Sequence, residues 1–239
     1  MTNETTEPVA DPGEVLLIDK PLGWTSFAVV KKLKWAAQYK KIGHAGTLDP
    51  LATGLLICCT GKMTKQIESY QAAEKEYTGT FVLGKTTPSV DLETPFDAEY
   101  PIEHITAQIL ESARQALTGA ISQTPPIFSA VKVDGKRAYE LARSGQEAEI
   151  KSKIITVSTF EIDQSRFPEL DFRIVCSKGT YIRSLVRDFG VLCQSGAYLK
   201  SLRRTRIGDF NVADAVSLEQ FVETHRPGST LYEPRIRPL

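Results

Sequence analysis

The sequence predicts an α+β domain, and three observations carry that expectation. Apolar residues with a period of two recur through most of the chain, segments with helical spacing stand apart from them, and no internal repeat or linker divides the whole. At 239 residues a chain buries roughly 70 to 75 % of its unfolded surface, enough for a core with a cleft. Hydrophobic residues make up 41 % and charged residues 24 %, which excludes the disordered and fibrous classes.

Met1 to Pro12 has two prolines and almost no large apolar side chains, so a disordered leader is expected over residues 1–12 and the folded domain over 13–239. Val15-Leu16-Leu17-Ile18 reads as a buried strand entering the turn Asp19-Lys20-Pro21-Leu22-Gly23. Thr25 or Ser26 then caps a helix with Phe27, Val30 and Leu33 as apolar positions. Lys41 to Pro50 is a glycine-rich loop, and Leu51 to Ile57 is a buried run. Because proline holds the preceding residue in extended conformations, Asp49 has a restricted backbone, which suits a positioned group.

Glu76 to Leu83 alternates as a strand that Tyr77 opens, and Pro101 to Gly119 holds a helix spaced by Ile105, Ile109 and Ala113 and stopped by Gly119. Thr124-Pro125-Pro126 is a rigid turn, Phe128 to Val133 a strand, Asp134-Gly135 a hairpin turn, and Ala138 to Ser144 a helix. Ile150 to Ile162 and Leu170 to Cys176 alternate as strands that should pair antiparallel. Thr180 to Leu192 is a helix beginning at Gly179-Thr180, Ala197 to Gly208 a strand, and Ser217 to His225 a short helix capped by Ser217.

No apolar run approaches the roughly 20 residues of a membrane span, and the acidic N-terminus is unlike an export signal. Cys58, Cys59, Cys176 and Cys193 lack disulfide spacing, so a reducing cytoplasm is expected. The net charge is zero, but Gly196 to Gly208 carries Lys200, Arg203, Arg204 and Arg206 without an acid. One basic face on a neutral protein is therefore expected.

His44, His104 and His225 stand far apart and no Cys/His cluster has ligand spacing, so no metal site is expected. Gly43-His44-Ala45-Gly46 lacks both the P-loop lysine and the dinucleotide fingerprint, so no cofactor is expected. What remains is a loop with an imidazole, His44, five residues before a carboxylate, Asp49. A carboxylate can act as nucleophile or base and a tyrosine can stack on a base or move a proton. Alone, an Asp before proline is more often a turn residue.

From Gly13 to about Ala215 the chain resembles the TruB family of tRNA pseudouridine synthases, which modify uridine 55 in the T-loop. The resemblance is collinear over Ile18 to Ser26, Gly43 to Gly54, Lys75-Glu76-Tyr77, Gly84 to Asp91, Gln123 to Lys132, Lys178 to Leu185 and Leu202 to Thr205. It implies the pseudouridine synthase fold, a long mixed, mostly antiparallel sheet with flanking helices and a central active-site cleft. It also implies tRNA as partner through its T-stem and T-loop, a cofactor-free isomerisation, and a monomer.

Carried over by position, the resemblance makes Asp49 the catalytic aspartate, Tyr77 the active-site tyrosine and Arg183 the arginine that pairs with the carboxylate. It gives His44 a part in extruding the T-loop nucleotides and places Tyr181 and Leu202 in the uracil pocket. With tRNA as the partner, Lys200, Arg203, Arg204 and Arg206 are the expected phosphate contacts, with a steep loss of binding with salt, and Lys132, Arg203 and Arg204 are counted among the substrate-binding residues. Lys20, beside Pro21 at a strand end, is grouped with the substrate-binding residues although its role there is mainly structural. Attack of Asp49 at C1′, attack on the pyrimidine ring and abstraction of a sugar proton all stay open, and all need an ionised carboxylate. After Thr205 the chain is too short for the appended PUA-type domain of longer members, so none is expected. The rival readings are an RNA-folding chaperone, which should survive Asp49→Asn, and a nucleoside hydrolase, whose metal-dependent forms want clustered aspartates that this chain lacks.

Overall fold

The computed structural model describes residues 12–129, 132–133, 136–137 and 150–225. The leader up to residue 11, the turn Asp134-Gly135, the helix expected over Ala138 to Ser144 and the stretch after His225 lie outside the described residues. In order, the elements are β1 (Val15–Lys20), α1 (Ser26–Ala36), β2 (Ile42–His44), β3 (Ala52–Thr60), a 3-10 segment (Gly61–Gln66), α2 (Ile67–Ala72), β4 (Lys75–Leu83), β5 (Lys85–Thr86) and β6 (Ala98–Glu99). They continue with α3 (Ala107–Ala116), β7 (Gly119–Gln123), β8 (Lys132–Val133), β9 (Lys136–Arg137), β10 (Lys153–Arg166), β11 (Glu169–Cys176), α4 (Ile182–Leu192), β12 (Ala197–Ile207), β13 (Phe210–Asn211), β14 (Val216–Ser217) and α5 (Leu218–His225).

Among the described residues one ten-stranded sheet organises the molecule, in the order β14-β1-β3-β12-β4-β11-β10-β7, with β2 on β3 and β13 on β12. Within it β14 on β1 and β3 on β12 run parallel; the other pairings are antiparallel. The expected mixed, mostly antiparallel sheet is therefore present, and β10 and β11 pair as anticipated.

The apolar run of β3 is buried on both faces, as a continuous hydrophobic strand should be. Leu56 and Cys58 pack with α1 and α5, while Leu55, Ile57 and Cys59 pack with Ile207 and Ala45. The largest core lies under β4, β10, β11 and β12, where Phe81, Phe160, Leu170 and Ile174 meet Leu185 and Phe189 of α4. All four cysteines are free and buried. No helix among the described residues is long and apolar enough to cross a membrane.

Three local expectations change. In α1 the buried residues are Ser26, Val29, Lys32, Leu33 and Ala36, whereas Phe27 is 74 % exposed; Thr25 caps the helix by accepting from the Ala28 N–H at 3.0 Å, and Ser26 faces Leu48, which turns Phe27 outward. The expected strand from Phe128 is bent at Ile127 to Ser129, and β8 begins only at Lys132. The helix expected from Gly179-Thr180 begins at Ile182, with Tyr181 as its cap residue.

Candidate active site

Asp49 sits where the loop after β2 turns into β3, and two built-in contacts fix that loop. Ser26, the first residue of α1, accepts from the Leu48 N–H at 2.8 Å and donates to the Leu48 carbonyl at 3.1 Å. Lys20 ends β1 fully buried, and its ammonium donates to the carbonyls of Trp24 at 2.6 Å, Pro21 at 3.1 Å and Pro50 at 3.3 Å. Burial draws the Lys20 ammonium down to about 8, although the nearby Asp49 charge favours its protonated form. Lys20 is thus a peg under the loop, its ammonium committed to the carbonyls of Pro21, Trp24 and Pro50.

Arg183 lies in the first turn of α4, is 4 % exposed, and brings Nη2 to 2.9 Å from Asp49 Oδ2. Its position is over-determined. Nη1 donates to the Ser89 carbonyl at 3.1 Å, Nη2 also donates to the Phe128 carbonyl at 2.9 Å, and Nε lies 3.7 Å from the buried Asp91 carboxylate. The first turn of α4 is itself held by Gln123, the fully buried end of β7. Its Oε1 accepts from the Tyr181 N–H at 2.8 Å and its Nε2 donates to the Tyr181 carbonyl at 3.1 Å. No hydroxyl or carboxylate side chain among the described residues caps this helix; the amide clasp fixes its entry instead.

Tyr77 and Arg204 are direct partners across β4 and β12, as are Gly79 and Leu202. These pairs share one face, since opposed residues of a sheet project to the same side. Arg204 is 1 % exposed and donates to the Leu55 carbonyl at 2.8 Å and the Gly46 carbonyl at 3.1 Å. Burial raises the Tyr77 phenol above its ordinary range, and the Arg204 charge beside it opposes the rise. Burial and then Arg204 lower the His44 imidazole, so it is held neutral.

Together these groups enclose a cleft of about 610 Å³ lined by Asp49, Tyr77, Tyr181, Arg183, Leu202 and Arg204, a volume in the usual range for small-ligand sites. Its chemistry is that of an ion-paired carboxylate sharing one cleft with two aromatic rings and an apolar side chain. Asp49 keeps 39 % of its side chain exposed, so the carboxylate is both anchored and reachable. Among the described residues no cluster of His, Cys, Asp and Glu could hold a metal ion.

Several sequence-derived assignments are redistributed. His44 stands on β2 and is not among the residues lining the cleft. For Lys132 the backbone of β8 is described, and its side chain lies outside the described residues. The basic cluster of β12 does not form one phosphate-contacting face. Bulges between Leu199 and Ser201 and between Arg204 and Arg206 reset the alternation, so Arg204 turns inward beside Tyr77 while Arg203 and Arg206 share the other face with Thr78 and Glu76. There Arg203 pairs with Asp19 at 2.7 Å, Arg206 with Glu74 at 3.0 Å, and Lys200 with Glu169. Distant acids neutralise the cluster. Asp91 and Gln123 stand inside the family motifs, where the sequence gives them no role; a carboxylate and an amide at motif ends were the available signals.

Comparison with known proteins identifies the family. The family model described as TruB family pseudouridylate synthase, N-terminal domain, matches residues 34–182, and that of the tRNA pseudouridylate synthase B C-terminal domain matches 183–239. Their boundary falls in the first turn of α4, and both parts contribute strands to the one sheet. Proteins named tRNA pseudouridine synthase B from Phocaeicola vulgatus and Flavobacterium johnsoniae are each 55 % identical, over 88 and 89 % of this chain and 92 and 96 % of their own. A chain in the crystal structure of a Cbf5-Nop10-Gar1 complex superimposes with a TM-score of 0.68 at 28 % identity, covering 87 % of this chain and 53 % of that one. A chain of an H/ACA RNP bound to a substrate RNA containing 2′-deoxyuridine gives a TM-score of 0.65 at 25 % identity, with 87 and 52 % covered. This chain therefore spans about half the length of those structural neighbours. With two family models running through residues 34 to 239 and curated relatives matched nearly end to end, the chain belongs to the TruB family of pseudouridylate synthases and has their fold.

Proposed function

We propose that this protein converts uridine 55 in the T-loop of tRNA to pseudouridine in the cytoplasm, with Asp49 as the essential carboxylate and no cofactor. The observation that carries the proposal is the 2.9 Å pair between Asp49 and the buried Arg183, both lining the cleft. The isomerisation breaks the glycosidic bond, turns the uracil within its pocket and joins C5 to C1′, with no net oxidation or reduction. Each of these steps can be served by one ionised carboxylate and a pocket that retains the detached base. Arg183 keeps the Asp49 carboxylate aimed through a charge-assisted contact. Tyr77 and Tyr181 offer rings to a base that has left its stack, which compensates an unstacking cost of a few kcal/mol by about 1 to 3 kcal/mol per stacked base. Leu202 gives the apolar wall that lets a planar ring turn. His44, neutral and on the strand leading to the Asp49 loop, is assigned to holding the opened T-loop.

The names of the relatives, tRNA pseudouridine synthase B, support tRNA as the substrate. The test incubates tRNA with the wild type and with Asp49→Asn and maps pseudouridine by chemical labelling. Product at position 55 that disappears in the variant is expected; product elsewhere, or undiminished product in the variant, overturns the assignment.

A further inference from the structure

The sequence placed the RNA-backbone contacts on β12, but the cations of that strand are paired with acids or turned inward. The cleft wall formed by the start of β10 and the turn after β11 is different. Lys153 and Lys178 both line the cleft, and neither takes part in any ion pair among the described residues. Both are exposed. The other cleft cations are committed elsewhere. Lys75 donates to the carbonyls of Tyr70, Gln71 and Ala73, Arg204 to those of Gly46 and Leu55, and Arg183 to Asp49. Among the described residues the one carboxylate lining the cleft is Asp49.

Lys153 is also held in place. Its ammonium lies 5.2 Å from the centroid of the Tyr181 ring, and it occupies space that a side chain at position 179 would need. A Cβ on Gly179 would stand 2.9 Å from Lys153 Nζ, and the glycine has a φ of +75°. Beside it Ile154 is 73 % exposed and lines the same wall, an apolar side chain that the core does not use. Partial burial draws the Lys153 ammonium below the ordinary lysine range, and a neighbouring anion would reverse that shift.

We propose that Lys153, Lys178 and Ile154 form a platform for the RNA backbone, the two ammonium groups taking phosphates next to the nucleotide in the cleft and Ile154 packing on an adjoining ribose or base. This rests on the RNA-modifying reading of the same cleft. Lysines act here as point charges that follow a flexible backbone and do not read sequence.

The experiment measures the dissociation constant of tRNA against salt concentration for the wild type, Lys153→Ala/Lys178→Ala, Lys153→Arg/Lys178→Arg, and Arg166→Ala. Arg166 is paired with Asp171 away from the cleft and serves as the control. Each phosphate contact on single-stranded RNA contributes about 0.7 to the slope of log K against log salt, so the double alanine variant should lose about 1.4 in slope. The double arginine variant and Arg166→Ala should keep it. An unchanged slope in the double alanine variant, or an equal loss in Arg166→Ala, overturns the platform. A wild type that binds tRNA with this Lys153 and Lys178 dependence but forms no pseudouridine leaves the platform standing and overturns the catalytic reading instead.

Discussion

The Arg183 guanidinium is shared between two carboxylates, with Asp49 at 2.9 Å and Asp91 at 3.7 Å. The two acids differ in exposure, since Asp91 keeps 5 % of its side chain accessible and Asp49 keeps 39 %. Asp91 is therefore the permanent counter-ion that makes a buried arginine tolerable, and Asp49 is the group presented to the cleft. Breaking a buried pair from one side leaves an uncompensated charge, at a cost of about 3 to 5 kcal/mol.

Asp49→Asn and Asp91→Asn should consequently fail in different ways. Asp49→Asn should fold normally, bind tRNA and form no pseudouridine. Asp91→Asn should lower the melting temperature and reduce the single-turnover rate by at least about 10²-fold, in the range of a misplaced acid–base group. Equal melting temperatures for the two variants would show that Asp91 does not stabilise the buried arginine.

Gln123 should act on catalysis without touching the substrate. Replacing it by Leu, which keeps the approximate volume, strands the Tyr181 N–H and carbonyl that it now satisfies. Each stranded buried group costs about 1 to 3 kcal/mol, and the start of α4 carries both Tyr181 and Arg183. Chemical denaturation should therefore show a loss of about 2 to 6 kcal/mol, accompanied by a fall in the saturating rate larger than the change in KM. Full activity with full stability in Gln123→Leu would remove the clasp from the account.

How much of this was legible beforehand depended on the range of the interaction. The strand and helix segments followed from local periodicity, and the Asp49 loop with Arg183 and Tyr77 followed from family motifs. Face assignment on β12 did not, because two bulges against β4 shift the alternation and cannot be read from Lys200 to Arg206 alone. The partners that neutralise this strand are distant in sequence, as with Asp19 and Arg203, so an acid-free segment looked like a basic face. Phe27 misled for a related reason: its apolar character fitted a helical stripe, but Ser26 had to face Leu48, and that contact sets the rotation of α1. Lys153 and Lys178 went unnoticed as a pair because a strand start and a separate turn bring them to one wall.

The acid limb of the stability profile should report His44. Its folded pKa lies below the ordinary 6.5 because burial, and then Arg204, disfavour the imidazolium. Between pH 6.5 and the lower folded value the unfolded chain binds the proton and the folded protein does not. Stability from this group is therefore complete above about 6.5 and falls as the pH drops toward the folded value, then levels off. Urea unfolding between about pH 7.5 and about 5 should show a shallower acid decline in His44→Gln than in the wild type. Parallel declines would mean that His44 titrates alike in both states.

Gly54 joins the catalytic loop to the central strand, and its replacement tests how close that join is. It pairs in parallel register with Arg204 and has a φ of +100°, and a Cβ there would lie 2.3 Å from the Arg204 carbonyl oxygen and 2.8 Å from its nitrogen. Gly119 has a similar φ of +94°, but a Cβ at that position would meet no heavy atom within 4 Å, so it isolates backbone strain, about 1 to 3 kcal/mol. Gly119→Ala should show that loss alone. Gly54→Ala must also push β3 away from β12, which adds an overpacking penalty of about 1 to 3 kcal/mol and shifts the Gly46 to Leu55 segment that Arg204 grips. Its urea midpoint should fall further than that of Gly119→Ala, and its pseudouridine yield should fall with it. If the two alanine variants lose the same stability, the glycine at 54 is required by its dihedral angle and not by the approach of β12.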